Sequence, residues 1–477
     1  MPEQASIMLR ERLTAPDNQK GSNLNLHHAD PMRPRRSPVD GFDLGWFLAL
    51  NVVLIGAMWI RHGNLATLDV PGGALSAAGD VTALYGTAAI LVLLVLVARV
   101  PWIERRYGMD RLNLWHRWTG FAATVLLLGH AILTTLGYAA GLEGGAWAQL
   151  LDFVNGHQWM LSAIIGLLLL MAIAGTSLKF ARRRLSYETW WFIHVYAYLA
   201  VALSFMHQIV AGVDFVDDPW ARWYWIALYA VTGVFLLGFR WITPIWRMQH
   251  HRLRVSEVRR EAPNVLTIVL SGRKLSRLRV EAGQFFILRF LRGDSWWKAH
   301  PFSLSAKPDG HTLRFTVKQV GDDTQAMERL PVGTRVMAEG PYGTFTTALA
   351  AKRRILLIGG GIGISPIRSM YEDLDRRPGE VDLLYRTRTR ADAALLGELE
   401  EIHQRRGYGF EVSFSATAGT NSKDDPLRTE ALLARYPDIA QRDVFVCGPP
   451  SLLASAQRGL RSAGVSSDQI HLERFSY

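Results

Sequence analysis

Four histidines have the spacing best suited to chemistry in this chain: His116 and His130, fourteen residues apart, and His194 and His207, thirteen apart. Each pair lies in or at the edge of an apolar stretch, where an ionisable side chain is costly and marks a candidate site by default. A lone histidine in such a place reads as a hydrogen-bonded core residue; two helices with nearly matching pairs read as a ligand set. At about 1.5 Å per residue each pair spans roughly 20 Å of helix, room for two stacked porphyrins. If the two helices run in the same direction, His116 and His194 share one depth and His130 and His207 another. Two neutral imidazoles at each depth fill both axial positions of a low-spin haem iron, which suits electron transfer. The azimuths agree less well. Fourteen residues fall about 40° short of four turns and thirteen fall about 140° short, so the helix between His194 and His207 must bend, tighten or break. His62 and His157 lie near the outer boundary and are expected to face water or headgroups.

These histidines need membrane-spanning helices to hold them. Hydrophobic residues make up 49% of the 477, and the excess sits in the first half. Six apolar stretches, at 44–60, 81–100, 117–138, 158–177, 189–212 and 222–241, are each near the ~20 residues a spanning helix requires. Buried soluble helices are the plain alternative, and six in succession with so few charges argue against it. Lys and Arg segregate sharply. One set of junctions holds Arg33, Arg35 and Arg36; Arg99, Arg105, Arg106 and Arg111; Lys179, Arg182, Arg183 and Arg184; and Arg240, Arg247 and Arg252. The other set holds only Arg61 and Arg222, beside Asp69, Asp80, Glu143, Asp152, Asp214, Asp217 and Asp218. Positive loops stay in the cytoplasm, so both termini are expected there, in a multi-pass protein of the inner (plasma) membrane. The net charge of +11 is then membrane topology plus affinity for anionic headgroups and phosphates, and no nucleic-acid motif competes for it. Residues 1–41 lack the layout of a cleavable signal peptide and are expected to form a disordered cytoplasmic tail. The single cysteine, Cys447, excludes a disulfide within the chain, a cysteine-ligated iron–sulfur cluster and a Cys-x-x-Cys-His haem attachment.

Beyond residue 247 the pattern changes. Alternating runs at 265–270, 285–290 and 313–320, broken by Gly and Pro, predict a small antiparallel barrel. Gly283-Gln284-Phe285 ends a turn and starts a strand, and His300-Pro301-Phe302-Ser303-Leu304-Ser305 makes an unusually polar strand edge. Gly321-Asp322-Asp323-Thr324 can open a helix whose N-terminus receives a phosphate. Further on, an apolar strand at 354–358 runs into Gly359-Gly360-Gly361-Ile362-Gly363-Ile364-Ser365-Pro366, with a helix predicted at 367–374. Glycines at such a junction let the backbone approach a pyrophosphate. The spacing is not G-x-G-x-x-G, which points away from ordinary Rossmann dehydrogenases. The next strand, 381–385, ends in Arg386-Thr387-Arg388 with no acid for a ribose 2′-hydroxyl. Arginines there suit a 2′-phosphate and favour NADPH, with NADH still possible; solvated surface arginines are the plain alternative. A strand at 444–446 delivers Cys447-Gly448-Pro449-Pro450, where Cys447 by itself reads as a small buried residue.

The runs Asn113-Leu-Trp-His116-Arg-Trp-Thr-Gly120 through His130 and Ser186-Tyr-Glu-Thr-Trp-Trp191-Phe-Ile-His194 through His207 resemble the haem-binding helices of the ferric reductase and NADPH oxidase superfamily. The likeness extends over roughly residues 42–477. It implies a six-helix transmembrane haem-binding bundle at 42–246, an antiparallel β-barrel FAD-binding domain at 247–350 and an α/β parallel-sheet nucleotide-binding domain at 351–477. By the same resemblance His116, His130, His194 and His207 hold two b-type haems. Gln284, Phe285, His300 and Ser305 belong to the FAD site; Pro301, Phe302 and Ser303 line the isoalloxazine, with Ser303 near its reactive nitrogen. Lys318, Gly321 and Thr324 serve the pyrophosphate, although Lys318 also reads as a solvated strand residue and His300 as a satisfied surface one. Gly359, Gly360, Gly361, Gly363, Ser365 and Pro366 cradle NADPH, and Cys447, Gly448 and Pro449 stand beside the nicotinamide. Tyr477 covers the flavin until nicotinamide displaces it. The implied path is hydride from NADPH to FAD, then single electrons through the haems to an outer acceptor, dioxygen or a ferric chelate. A haem-less membrane-anchored reductase serving a cytosolic partner and a quinone-linked haem protein are the rival readings. No EF-hand pattern suggests calcium control.

Overall fold

The computed structural model describes residues 44–140, 142–212, 218–414 and 425–474. The expected N-terminal tail, Asp214, Asp217 and the proposed lid Tyr477 lie outside the described residues. Among those described, six helical stretches are long and apolar enough to cross a membrane: Leu44–Arg61, Gly73–Val97, Met109–Ala139, Met160–Ser177, Tyr187–Val210 and Pro219–His251.

The first half comprises α1 (Leu44–Arg61), α2 (Gly73–Val97), the short α3 (Pro101–Tyr107), α4 (Met109–Ala139), α5 (Gly145–Gly156) and α6 (Met160–Ser177). There follow α7 (Lys179–Arg182), α8 (Tyr187–Val195), α9 (Ala197–Ala211), α10 (Pro219–Phe235) and α11 (Thr243–His251). Helix α2 begins eight residues before the predicted 81, and α4 begins at Met109, so His116 lies well inside its helix. Helices α2 and α4 pack along their lengths through small residues: a Cβ on Gly79 would stand 2.4 Å from Thr134 Oγ1, and one on Gly86 2.8 Å from Leu127 Cδ2. Such residues let helix backbones approach closely in a membrane. Ser186 caps α8 by accepting the Thr189 N–H at 3.1 Å, and Asp218 caps α10 through Trp220 N–H at 2.8 Å. The last span does not stop at 246. A π-helical segment, Leu236–Ile242, leads into α11, so the boundary expected at 246/247 falls inside a helix.

Eleven strands follow among the described residues. The barrel uses β1 (Arg254–Ala262), β2 (Val265–Ser271), β3 (Phe285–Phe290), β4 (His300–Ser303), β5 (Thr312–Lys318) and β6 (Val336–Tyr342), with α12 (Asp322–Ala326) between the last two. Two antiparallel three-stranded sheets, β1-β2-β5 and β4-β3-β6, meet through bridges at Arg254–Arg335 and Leu304–Phe315. Inward residues such as Leu266, Ile268, Phe286, Leu288 and Phe315 form its core.

The final domain contains β7 (Ile355–Gly360), α13 (Ile364–Asp373), β8 (Val381–Thr387), α14 (Leu396–Arg406), β9 (Gly409–Phe414), α15 (Thr429–Arg435), β10 (Asp443–Gly448), α16 (Pro450–Ser462) and β11 (Ile470–Arg474). Its five strands are all parallel in the order β11-β10-β7-β8-β9. Successive side chains alternate faces. Ile355 and Leu357 pack under α13 and α14, whereas Leu356 and Ile358 pack under α15 and α16. Burial on both faces explains why this strand reads as a continuous apolar run.

Candidate functional site

Within the helix bundle the histidines form two levels. The Nδ1–H of His116 donates to the Leu93 carbonyl of α2 at 3.4 Å. That of His130 donates to the Gly79 carbonyl at 3.0 Å. A proton held at Nδ1 leaves Nε2 as the free lone pair, the form that binds a metal. The Nδ1 atoms of His194 and His207 are buried without a hydrogen-bond partner among the described residues. The rings of His116 and His194 stand 6.0 Å apart, centroid to centroid. One metal ion bonded at about 2 Å to each of two imidazoles sets their centroids roughly 6 Å apart. No group of three or more His, Cys, Asp or Glu converges among the described residues, so the donors come as imidazole pairs and not as a four-ligand cage. Neutral imidazole pairs within apolar helices fit haem iron better than zinc or a hard cation.

The irregularity that the thirteen-residue spacing requires is present: α-helix stops at Val195 and resumes at Ala197, on either side of Tyr196. His194 is held from behind by Trp190, stacked at 4.9 Å, whose Nε1–H donates to Ser177 Oγ at 3.2 Å. The Arg182 guanidinium lies over the Trp190 ring at 4.8 Å. Of the outer histidines, His157 is exposed. His62 departs from expectation, being mostly covered and 3.7 Å from the Asp218 carboxylate, which is also ion-paired with Arg61.

In the barrel, β4 pairs with β3 so that Phe302 faces Phe286 and Ser303 faces Phe285, with Pro301 and His300 continuing the ladder. His300 and Phe302 stack nearly parallel at 5.9 Å. Gln284 Oε1 accepts the Glu281 N–H at 2.8 Å, and the Gln284 carbonyl accepts Leu304 N–H at 3.0 Å. Ser303 is buried, and the Ser305 Oγ is buried with no partner among the described residues. Lys318 ends β5 on the exposed side. The Thr324 hydroxyl accepts Val320 N–H at 2.9 Å and Gly321 N–H at 3.2 Å, so it shapes the turn into α12.

The glycine turn after β7 is built for close approach. Gly361 has φ +55. A Cβ on Gly360 would lie 2.3 Å from Leu452 Cδ1, and one on Gly363 would lie 2.3 Å from the Cys447 carbonyl. These contacts bring the glycine turn against Cys447, Gly448 and Pro449, where β10 enters α16. Ser365 Oγ–H donates to the Thr316 carbonyl at 3.1 Å, and Gly283 N–H donates to Ser369 Oγ at 3.0 Å, so the start and the middle of α13 are tied to the barrel. Pro366 is buried. Cys447 is fully buried, and burial, then the Glu473 carboxylate, pushes its thiol well above the usual range. Burial of this kind disfavours the thiolate. The Arg386 guanidinium pairs with the buried Asp425 at 3.3 Å. Arg388, two residues on, is exposed.

Three features were missed by sequence reading. Arg99, Arg240 and Arg289 converge on Glu339, which is 3% exposed, with Arg240 at 3.5 Å. Burial, then the Arg240 charge, pulls Arg99 down to about 10. Nearby, Glu104 accepts the Gly343 N–H at 2.8 Å, Arg247 donates to the Gly340 carbonyl, and Trp191 stacks on Trp297 at 5.7 Å. Together these join the helix ends to the barrel. Glu473 on β11 is pushed up to about 8 by burial and by Asp110 and Glu104 of the membrane domain. An acid inside the apolar run of β6 was the available signal for Glu339; Glu473 carried none.

Comparison with known proteins adds three matches in chain order. Residues 82–205 match the ferric reductase like transmembrane component, 250–346 an FAD-binding domain and 357–458 an oxidoreductase NAD-binding domain. An NADPH oxidoreductase of Mycobacterium tuberculosis is 28% identical over 243 residues, 49% of this chain and 62% of that protein. The glycine betaine monooxygenase reductase subunit of Chromohalobacter salexigens is 26% identical over 245 residues, 49% of this chain and 66% of that protein. The chain thus spans less than two thirds of the length of these relatives. A solved Amycolatopsis cytochrome P450 reductase is 26% identical, covering 47% of this chain and 69% of its own, with a TM-score of 0.40. A multi-pass membrane domain followed by an FAD-binding domain and an oxidoreductase NAD-binding domain gives this chain the architecture of the ferric reductase and NADPH oxidase superfamily.

Proposed function

We propose that the chain takes hydride from NADPH and delivers electrons one at a time across the bilayer to dioxygen. When bound, FAD supplies the change from two-electron to one-electron chemistry, and two b-type haems supply one-electron carriers within lipid. The observation that carries this reading is the two-level imidazole set, with His116 and His194 rings 6.0 Å apart and His116 and His130 both fixed at Nδ1 by backbone carbonyls. His116 with His194 would hold the inner iron, and His130 with His207 the outer one.

In the barrel, Gln284, Phe285, His300, Pro301, Phe302 and Ser303 would frame the flavin ring, with the unpartnered Ser305 hydroxyl close by. Exposed Lys318 would face the pyrophosphate, and Gly321 with Thr324 would shape the turn beside it. The glycines 359, 360, 361 and 363, with Ser365 and Pro366, shape the NADPH turn. Arg388 would meet the 2′-phosphate, because Arg386 is committed to Asp425. Cys447, Gly448 and Pro449 would form the floor beneath the nicotinamide, and Tyr477 would cover the flavin. The termini would lie in the cytoplasm of a plasma-membrane protein, since arginines gather at the barrel side of the bundle.

Dioxygen is preferred over a ferric chelate on charge. Asp69, Asp80, Glu143 and Asp152 outnumber Arg222 on the far face, and Arg61 is already paired with Asp218. That field repels an anionic chelate and is indifferent to a neutral gas. Purified protein given NADPH should show superoxide-dismutase-sensitive cytochrome c reduction exceeding Fe²⁺ formation, and pyridine haemochrome analysis should give two haems per chain. Dominant Fe²⁺ formation would replace dioxygen by ferric chelate; zero haem would sink the electron path altogether.

A further inference from the structure

The connection from β2 to β3 carries the run Arg273-Lys274-Leu275-Ser276-Arg277-Leu278-Arg279. Its leucines turn inward: Leu275 is buried in the barrel core and Leu278 packs against that core. Its four cations, Arg273, Lys274, Arg277 and Arg279, are all exposed. None of them takes part in a salt bridge among the described residues. The turn is held firmly. Arg273 N–H donates to the His251 carbonyl at 2.6 Å, and His251 Nδ1–H donates to the Arg273 carbonyl at 3.1 Å.

His251 is the last residue of α11, which continues the sixth spanning helix. Just before it, Trp241, Ile242, Ile245 and Trp246 are all exposed, as on a lipid-facing surface. Trp246 stacks on His250 at 4.7 Å, and His250 lies within electrostatic reach of Arg273, Lys274 and Arg277. Exposed tryptophans with cations gathered beside them are enriched at the bilayer–water boundary. A cationic turn anchored at that depth meets the negative surface potential of an anionic leaflet.

We propose that this turn binds anionic phospholipid headgroups and thereby seats the flavin domain on the leaflet. The surface belongs to the barrel and not to the spanning helices. The inference goes beyond the electron-transfer reading and needs neither haem nor a particular acceptor.

The test is hydrogen exchange of the full chain in nanodiscs of phosphatidylcholine alone or with increasing phosphatidylglycerol. Amides of 272–280 should become protected as phosphatidylglycerol is added, and high salt should reverse this. Lys274→Gln should raise the phosphatidylglycerol content needed for half-protection by about fivefold. A variant with all four cations changed to Gln should show no protection, with unaltered exchange in β7 and β10 showing that it has folded; if it does not fold, the single variant carries the test. Equal exchange in both disc types, or protection that survives the fourfold change, would overturn the proposal. So would inorganic phosphate giving the same protection in phosphatidylcholine discs, which would mark a free-anion site. Oxidase assays do not enter this result, so it stands or falls apart from the proposed function.

Discussion

Glu339→Gln is the most informative single change in the chain. The substitution keeps the side-chain volume and removes the one negative charge that Arg99, Arg240 and Arg289 share. With Arg240 at 3.5 Å from the carboxylate, one such pair is worth about 5 kcal/mol at an effective dielectric of 20. Desolvation of both partners offsets much of that, and the guanidiniums keep some contact with water. Breaking a buried pair and stranding its partner costs about 3–5 kcal/mol, so the lower end, ~3 kcal/mol or roughly 150-fold in the docking equilibrium, applies here. The expected result is faster hydrogen exchange at 340–344 and 99–105, with flavin-dependent ferricyanide reduction in solution intact and delivery to the outer acceptor lost. Arg240→Gln should do the reverse, because it relieves surplus positive charge, and should partly rescue Glu339→Gln. If Glu339→Gln left exchange unchanged, or if Arg240→Gln alone were equally damaging, the charge-sharing account of the interface would be wrong.

Three further outcomes follow from the geometry. On the proposed two-haem reading, His130→Leu should reduce haemochrome content from about two to about one per chain while membrane insertion is retained, because each level would supply its own two axial nitrogens. Arg388→Ala should raise KM for NADPH by about tenfold, the loss of one charge-assisted phosphate contact, and leave KM for NADH unchanged. Arg386→Ala should instead destabilise the nucleotide domain by about 3 kcal/mol by leaving Asp425 buried and unpaired, read by denaturant midpoint. Glu473 is an acid whose folded pKa, about 8, lies above its unfolded value. Below the ordinary carboxylate range it imposes no penalty; the penalty grows as pH rises and is complete above about 8. Contact between β11 and α3–α4 should therefore loosen across that window, and Glu473→Gln should flatten the dependence, as measured by hydrogen exchange against pH.

Much of this architecture is legible along the chain because its causes are local. A bilayer demands some twenty apolar residues in a row, a half-buried strand demands alternation, and a nucleotide turn demands glycine. The runs at β2, β3, β5 and β7 and the glycine turn therefore show in the sequence within a few residues of where they fall, and the six spans show with ends that shift by up to ten. Even the break at Tyr196 is foreshadowed, since thirteen residues of unbroken helix cannot present His194 and His207 on one side. Other features depend on pairs that only folding brings together. Arg99 and Glu339 are 240 positions apart, and nothing near either one announces the other. Asp425 pairs with Arg386 from 39 positions away, a contact that neither local pattern announces. Cys447 is fully buried, with Gly363 packed close against its carbonyl. Electrostatic partnership and burial are long-range properties of the assembled molecule, set by which surfaces pack against one another, whereas periodicity and turn chemistry are properties of neighbouring residues.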